Sequence, residues 1–249
     1  MSGHSKWATI KRKKGALDAK RGKLFTKLIK EITVAARMGG GDINGNPRLR
    51  KAVNDAKGDA MPADTIKRAI QRGTGEIEGV NYEEILYEGT GPGGTLFLVE
   101  VMTDNKNRTV AEIRKVFEKN NGAMGAGGTA AWAFDRKGLL TVPKEAATDD
   151  QLMEIAVGAG AEDYQLEGDY WTITSPVPDL ETVIKALEEA KVAVKSSGPA
   201  FIPKNKKQVV GRDAEVCLQL TDTLDDHDDV QNVYADFDIS DEEIARLEG

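Results

Sequence analysis

Three short stretches carry residue types that could do chemistry. Gly89, Gly91 and Gly94 in "GTGPGG" match the spacing G-x-G-x-x-G, in which glycines let the backbone approach a pyrophosphate at a helix N-terminus. That chemistry needs a strand before the loop and a helix after it. Here "YEEILYE" and "TLFLVEVM" on the two sides are both rich in strand formers, and Pro92 sits inside the loop, so a hairpin is expected instead of a nucleotide site. "GAMGAGG" at 122–128 lacks the Lys-Ser/Thr of a P-loop and reads as a connection. "DDHDD" at 225–229 suggests a metal, but adjacent carboxylates point in different directions and lack the alternating spacing and glycine of a calcium loop. It is expected at a helix N-terminus, where acidic side chains cap and complement the dipole.

Catalysis finds no foothold. His4 and His227 are the only histidines, so no His-based zinc cluster can form, and neither has neighbours that suggest a triad. The single cysteine, Cys217, excludes an intrachain disulfide and suits a reducing compartment. The expectation is a non-enzymatic chain with no catalytic residue, no cofactor, no metal and no small-molecule substrate.

Charge is more informative. The 249 residues carry a formal net charge of −7, but residues 1–75 hold 18 Lys/Arg against 6 Asp/Glu, and residues 76–249 hold 16 against 35. Those are nets of +12 and −19. A reversal this sharp points to a polyanion-binding module on an acidic body. The N-terminal stretch supplies Lys6, Lys11, Arg12, Lys13, Lys14, Lys20 and Arg21, with Trp7 placed among them to stack on a base or to anchor the arm. Lys23, Lys27 and Lys30 follow on one helix face, then Arg48, Arg50, Lys51, Lys67, Arg68 and Arg72. Each phosphate neutralised by such a surface releases counterions, so the expected partner is a nucleic acid. Lys204, Lys206 and Lys207 form a smaller cluster that reads as a solvated linker.

The elements that must position these groups follow from periodicity. Residues 1–22 show no sustained pattern and read as a basic arm. From Lys23, the residues Phe25, Leu28, Ile29, Ile32 and Ala36 form an apolar stripe with lysines opposite and Val34 as an intruder. Asn46-Pro47 opens a second helix and Pro62 a third, which Gly73 is expected to stop. The basic residues would be left on the outside of this bundle, spanning 23–76. Beyond it, the segment 135–205 reads β-α-β-β-α-β, a ferredoxin-like unit. The flanking pieces 77–134 and 206–249 would share a second sheet, with a short strand at "AWAF" and a helix beginning near "DDHDDVQNV". The fold class is therefore α+β and multidomain: a three-helix domain and two ferredoxin-like domains, one inserted in the other. No run is apolar enough to span a membrane.

"GHSKWATIKRKKGALDAKRGKLFTKLIKEI", "NPRLRKAV", "MPADTIKRAIQRGTG", "DNKNRTVAEIRKVF", "WAFDRKG" and "DDVQNVYADFDI" also resemble the YebC family of transcriptional regulators. That group includes the mitochondrial translational activator of cytochrome oxidase subunit one. The resemblance runs from residue 3 to about 240; Thr9 and Gly15 stand where the family usually has Asn and Ala. It implies a helical domain and two nested α+β domains, DNA binding and transcriptional control. For some members it implies instead a ribosome-associated factor that contacts ribosomal RNA and assists translation of proline-rich stretches. With the match beginning at residue 3, a bacterial, cytoplasmic member is expected.

Overall fold

The computed structural model describes residues 17–248, so the arm residues Lys6, Trp7, Lys11, Arg12, Lys13 and Lys14 lie outside the described residues. Helix α1 (Leu17–Gly39) begins at Leu17, ahead of the Lys23 start implied by its apolar stripe. Leu17, Ala19, Lys20 and Arg21 are all strong helix formers, and propensity extends the helix beyond its periodic segment. Ile32 and Ala36 are buried against α2 (Pro47–Gly58) and α3 (Ala63–Thr74), with Phe25, Leu28 and Ile29 packed at the margin. Asn46 caps α2 by accepting the Leu49 N–H at 3.1 Å, and its amide donates to the Ala35 and Gly40 carbonyls at 2.8 and 2.9 Å. One side chain thus fixes the turn and ties α2 to the end of α1.

Gly73 does not stop α3. The helix runs on to Thr74, and Gly75, with φ of 80°, provides the left-handed cap. Gly73 is instead a close-approach residue: a Cβ there would lie 2.4 Å from the Thr33 carbonyl oxygen and 2.6 Å from the Ala36 Cβ. Helix propensity alone would make Gly73→Ala stabilising by about 1 kcal/mol. Overpacking against α1 is expected to reverse the sign, to a loss of about 1–3 kcal/mol in denaturant unfolding. A stabilised variant would refute the close contact.

Strands β1 (Glu83–Thr90) and β2 (Leu96–Thr103) pair antiparallel along their length, with a single tight turn, Pro92–Gly94, in the glycine-rich loop. That loop is a hairpin. Helix α4 (Lys106–Lys119) and the short β3 (Ala123–Met124) follow. At the expected "AWAF" strand, Ala131–Ala133 forms one 3-10 turn, and the strand proper, β4 (Phe134–Pro143), starts at Phe134. Helix α5 (Asp149–Leu152), continued in π geometry to Val157, leads to β5 (Asp163–Glu167), β6 (Tyr170–Ser175), α6 (Leu180–Glu189) and β7 (Ser196–Pro203). The sheet order β5-β6-β4-β7, antiparallel throughout, is the ferredoxin-like 4-1-3-2 arrangement.

The chain then returns through β8 (Lys207–Gln208), α7 (Gly211–Asp225), β9 (Val230–Ala235), β10 (Phe237–Asp238) and α8 (Asp241–Glu248). β9 pairs with β2, giving the first sheet the order β3-β1-β2-β9. Phe97, Phe117, Cys217, Leu220 and Phe237 share its core, so residues on both sides of the insertion close one domain. Leu98, Ala133 and Phe134 are buried in a smaller core, with Phe201 and Tyr234 against them, that joins the two α+β domains. The acidic run is not a helix start. It begins at the C-terminal end of α7 and continues as the loop to β9. Ala214, Cys217, Leu218, Thr221 and Leu224, all buried, recur at helical spacing, and the local alternation in "EVCLQL" hides it.

Candidate nucleic-acid interface

The lysine face of α1 is docked against the acidic run 225–229, from an exposed contact at Lys23 to a buried one at Lys30. Lys23 Nζ donates to the Asp226 carbonyl at 2.9 Å, and Lys27 Nζ to the Asp225 carbonyl and carboxylate at 2.8 and 3.0 Å. Lys30, only 6% exposed, uses its ammonium on the Met102 carbonyl at 3.3 Å, the Asp228 carbonyl at 2.9 Å and the Asp229 carboxylate at 2.5 Å. The expectation that this face stays outside is therefore corrected. An acidic run at a helix C-terminus adds negative charge to the negative end of the dipole, and lysines from a neighbouring helix offset both. Val34 belongs to the same docked side and is buried, which explains the intruder in the wheel.

Asp229 is the hub of the contact. Besides Lys30, its other oxygen accepts from Thr109 Oγ1 at 2.6 Å, Arg108 at 2.8 Å and Thr103 Oγ1 at 3.2 Å. Burial alone would push the carboxyl up, but the bonds from Lys30, Thr109 and Arg108 outweigh it and hold the carboxyl well below the usual carboxylate range. Arg48 is likewise spent internally. Its guanidinium bridges Glu31 of α1, at 2.7 and 2.9 Å, and Glu84 of β1, at 2.6 and 3.2 Å. Lys51 pairs with Asp55, and Arg50 donates to the Asn44 carbonyl at 3.1 Å.

A smaller set remains available. Lys67, Arg68 and Arg72 are exposed on the outer side of α3 and have no ion-pair partner among the described residues, while Ile66 and Ala69 face the core. Lys57 at the end of α2, which the sequence reading passed over, is exposed in the same way. Lys20 lies in the first part of α1, its side chain outside the described set. Arg21 is exposed, reaches the Ala60 carbonyl at 3.4 Å and stacks 5.4 Å from the Phe25 ring centre. That contact places the start of α1 beside the α2–α3 turn, where the Ala60 N–H bonds back to the Lys57 carbonyl.

Two alternative centres are accounted for by chemistry. Glu112, His227 and Asp229 bring ligand atoms within 4.8 Å of one another. However, His227 Nδ1 accepts the Asp229 N–H at 3.1 Å, Nε2 meets Glu112 at 3.0 Å, and both Asp229 oxygens are held by the protein's own cations. A dication there would have to displace an ammonium and a guanidinium. Cys217 is fully buried, and burial pushes its thiol up to about 11, which leaves no thiolate for nucleophilic work at neutral pH. Among the described residues no helix is long and apolar enough to cross a membrane.

A basic three-helix domain clamped to the outer of two nested α+β domains defines a modular class. The family model described as TACO1/YebC protein N-terminal domain matches residues 5–76, and that for the TACO1/YebC second and third domain matches residues 82–237. Among curated relatives, a "probable transcriptional regulatory protein" of Geobacter sulfurreducens is 56% identical, covering 99% of this chain and all of that one. Another so named, from Desulforapulum autotrophicum, is 55% identical over 97% of this chain and 98% of its own. The crystal structure of a conserved hypothetical protein from Aquifex aeolicus superposes with a TM-score of 0.85 at 41% identity, covering 91% of this chain and 93% of that one. The chain belongs to the TACO1/YebC family.

Proposed function

We propose that this protein is a DNA-binding regulator of transcription that grips phosphates with the outer face of α3, Lys57 and the basic arm. The observation that carries the reading is the division of labour among cations. Lys23, Lys27 and Lys30 of α1 and Arg48 are engaged in building the molecule, whereas Lys67, Arg68 and Arg72 stay exposed on one helix face with no ion-pair partner among the described residues. Exposed cations on one helix face, together with a basic N-terminal sequence, form an electrostatic footprint for a polyanion. The −19 remainder of the chain repels phosphate and restricts the docking orientation. The names of the relatives supply the regulatory side of the reading.

Selection from random duplex and from structured RNA under identical salt tests it. A DNA regulator should enrich one duplex over random sequence by at least roughly a thousandfold. Equal binding to all duplexes, with preference for structured RNA and co-sedimentation with ribosomal particles, would replace transcription by a ribosome-bound role.

A further inference from the structure

We propose a second, separate contact at the junction of the two α+β domains, where Trp132 stacks on an unpaired base of a single-stranded polynucleotide. The proposal extends the nucleic-acid reading above and rests on it. Trp132 is 66% exposed although neighbouring Ala130 and Ala133 are buried. Its indole is nonetheless fixed. Nε1 donates to the Thr129 carbonyl at 3.1 Å, and the backbone around it is held by one buried carboxylate: Glu88 accepts the N–H groups of Gly128, Ala130 and Ala131 at 2.8, 2.6 and 2.8 Å. A large aromatic held rigid and left in water retains apolar area for a partner and loses little conformational entropy on binding one.

Charge selects the partner. Lys204 donates to the Trp132 carbonyl at 2.8 Å and lies 3.6 Å from Asp135, and Lys206 follows, exposed and without an ion-pair partner among the described residues. Lys207 reaches the Gly94 carbonyl at 3.1 Å, close in sequence to Leu96, which packs in the same small core as Ala131. In a portion of the chain with net charge −19, Lys204 beside the exposed indole, with Lys206 and Lys207 following it in sequence, fits a phosphodiester chain: cations meet phosphates while the ring takes a base. A base inside a duplex has both faces covered, so the site is selective for single strands.

The test uses the full chain carrying Trp7→Phe and Trp171→Phe, which leaves Trp132 as the only indole, titrated with oligo-dT and oligo-rU of equal length and with a duplex of the same length. Stacking predicts quenching of the Trp132 emission by both single strands and not by the duplex. In the otherwise native chain, Trp132→Ala should lower single-strand affinity about tenfold or more, leaving duplex affinity unchanged. Trp132→Phe should recover part of the loss, and Lys204→Ala with Lys206→Ala should flatten the salt dependence. Unchanged single-strand affinity in Trp132→Ala overturns the proposal while the α3 reading stands, provided the duplex still binds. A native chain that binds neither single strand nor duplex overturns both. Loss of a protein partner in Trp132→Ala, with oligonucleotide affinity intact, also overturns it in favour of a protein docking site.

Discussion

Replacing Asp229 by alanine is expected to cost about 3–5 kcal/mol of stability, because it strands the Lys30 ammonium in a site that is nearly closed to water. Lys30 would keep the carbonyls of Met102 and Asp228 and its place over the Tyr82 ring, and Arg108 would lose its contact to the hub. Lys30→Met should cost less, since Asp229 would retain Arg108, Thr103 and Thr109. The two changes together should be strongly non-additive, and urea unfolding of the four proteins in the cycle measures the coupling. A loss below about 1 kcal/mol for Asp229→Ala would place the pair with weak surface bridges. The same site sets a pH dependence. Its carboxyl is depressed in the folded state, so its contribution is fully present above the unfolded value near 3.9 and is lost as pH falls below it. Acid should therefore loosen the helical domain from the α7–β9 loop, and Asp229→Asn should remove that part of the acid sensitivity.

The second large effect concerns binding. Reversing Lys67, Arg68 and Arg72 to glutamate together should lower nucleic-acid affinity on the order of a hundredfold at moderate salt. It should also reduce the slope of log affinity against log salt by about three. Because these side chains are exposed, with no ion-pair partner among the described residues, stability should change by no more than roughly 0.5 kcal/mol per site. Lys23→Glu serves as the contrast. Its ammonium is engaged with Asp226, so its reversal should weaken the domain contact more than the binding. If Lys23→Glu and the α3 reversals act alike on affinity, the division of cations between building and binding is wrong.

The apolar stripe of α1, the Asn46-Pro47 cap and the order of strands in the insertion could be read from the sequence, because each depends on neighbours a few residues away. The fate of the α1 lysines could not. Cations opposite an apolar stripe have the pattern of a solvated face, and their carboxylate and carbonyl partners lie about 200 residues along the chain. One signal did exist: segments of net +12 and −19 in one molecule attract each other before either meets a third party. Gly73 is ambiguous in sequence for a related reason, since a glycine near a helix end has the same local signature whether it caps the helix or admits a crossing one. Asp229, Arg108 and Trp132 gave no local sign of their roles. The first two matter through a buried network, and the third through being left outside a core that its neighbours enter.

The central claim is that phosphate is held by α3, Lys57 and the arm, with Lys23, Lys27 and Lys30 of α1 reserved for assembly. Crosslinking the full chain to bound nucleic acid and mapping the modified peptides tests it most directly. The account predicts crosslinks in the peptides carrying Lys57, Lys67, Arg68 and Arg72 and in residues 1–16, with Lys27 and Lys30 protected. Crosslinks concentrated at Lys27 and Lys30, or absent from residues 1–75 altogether, would contradict it.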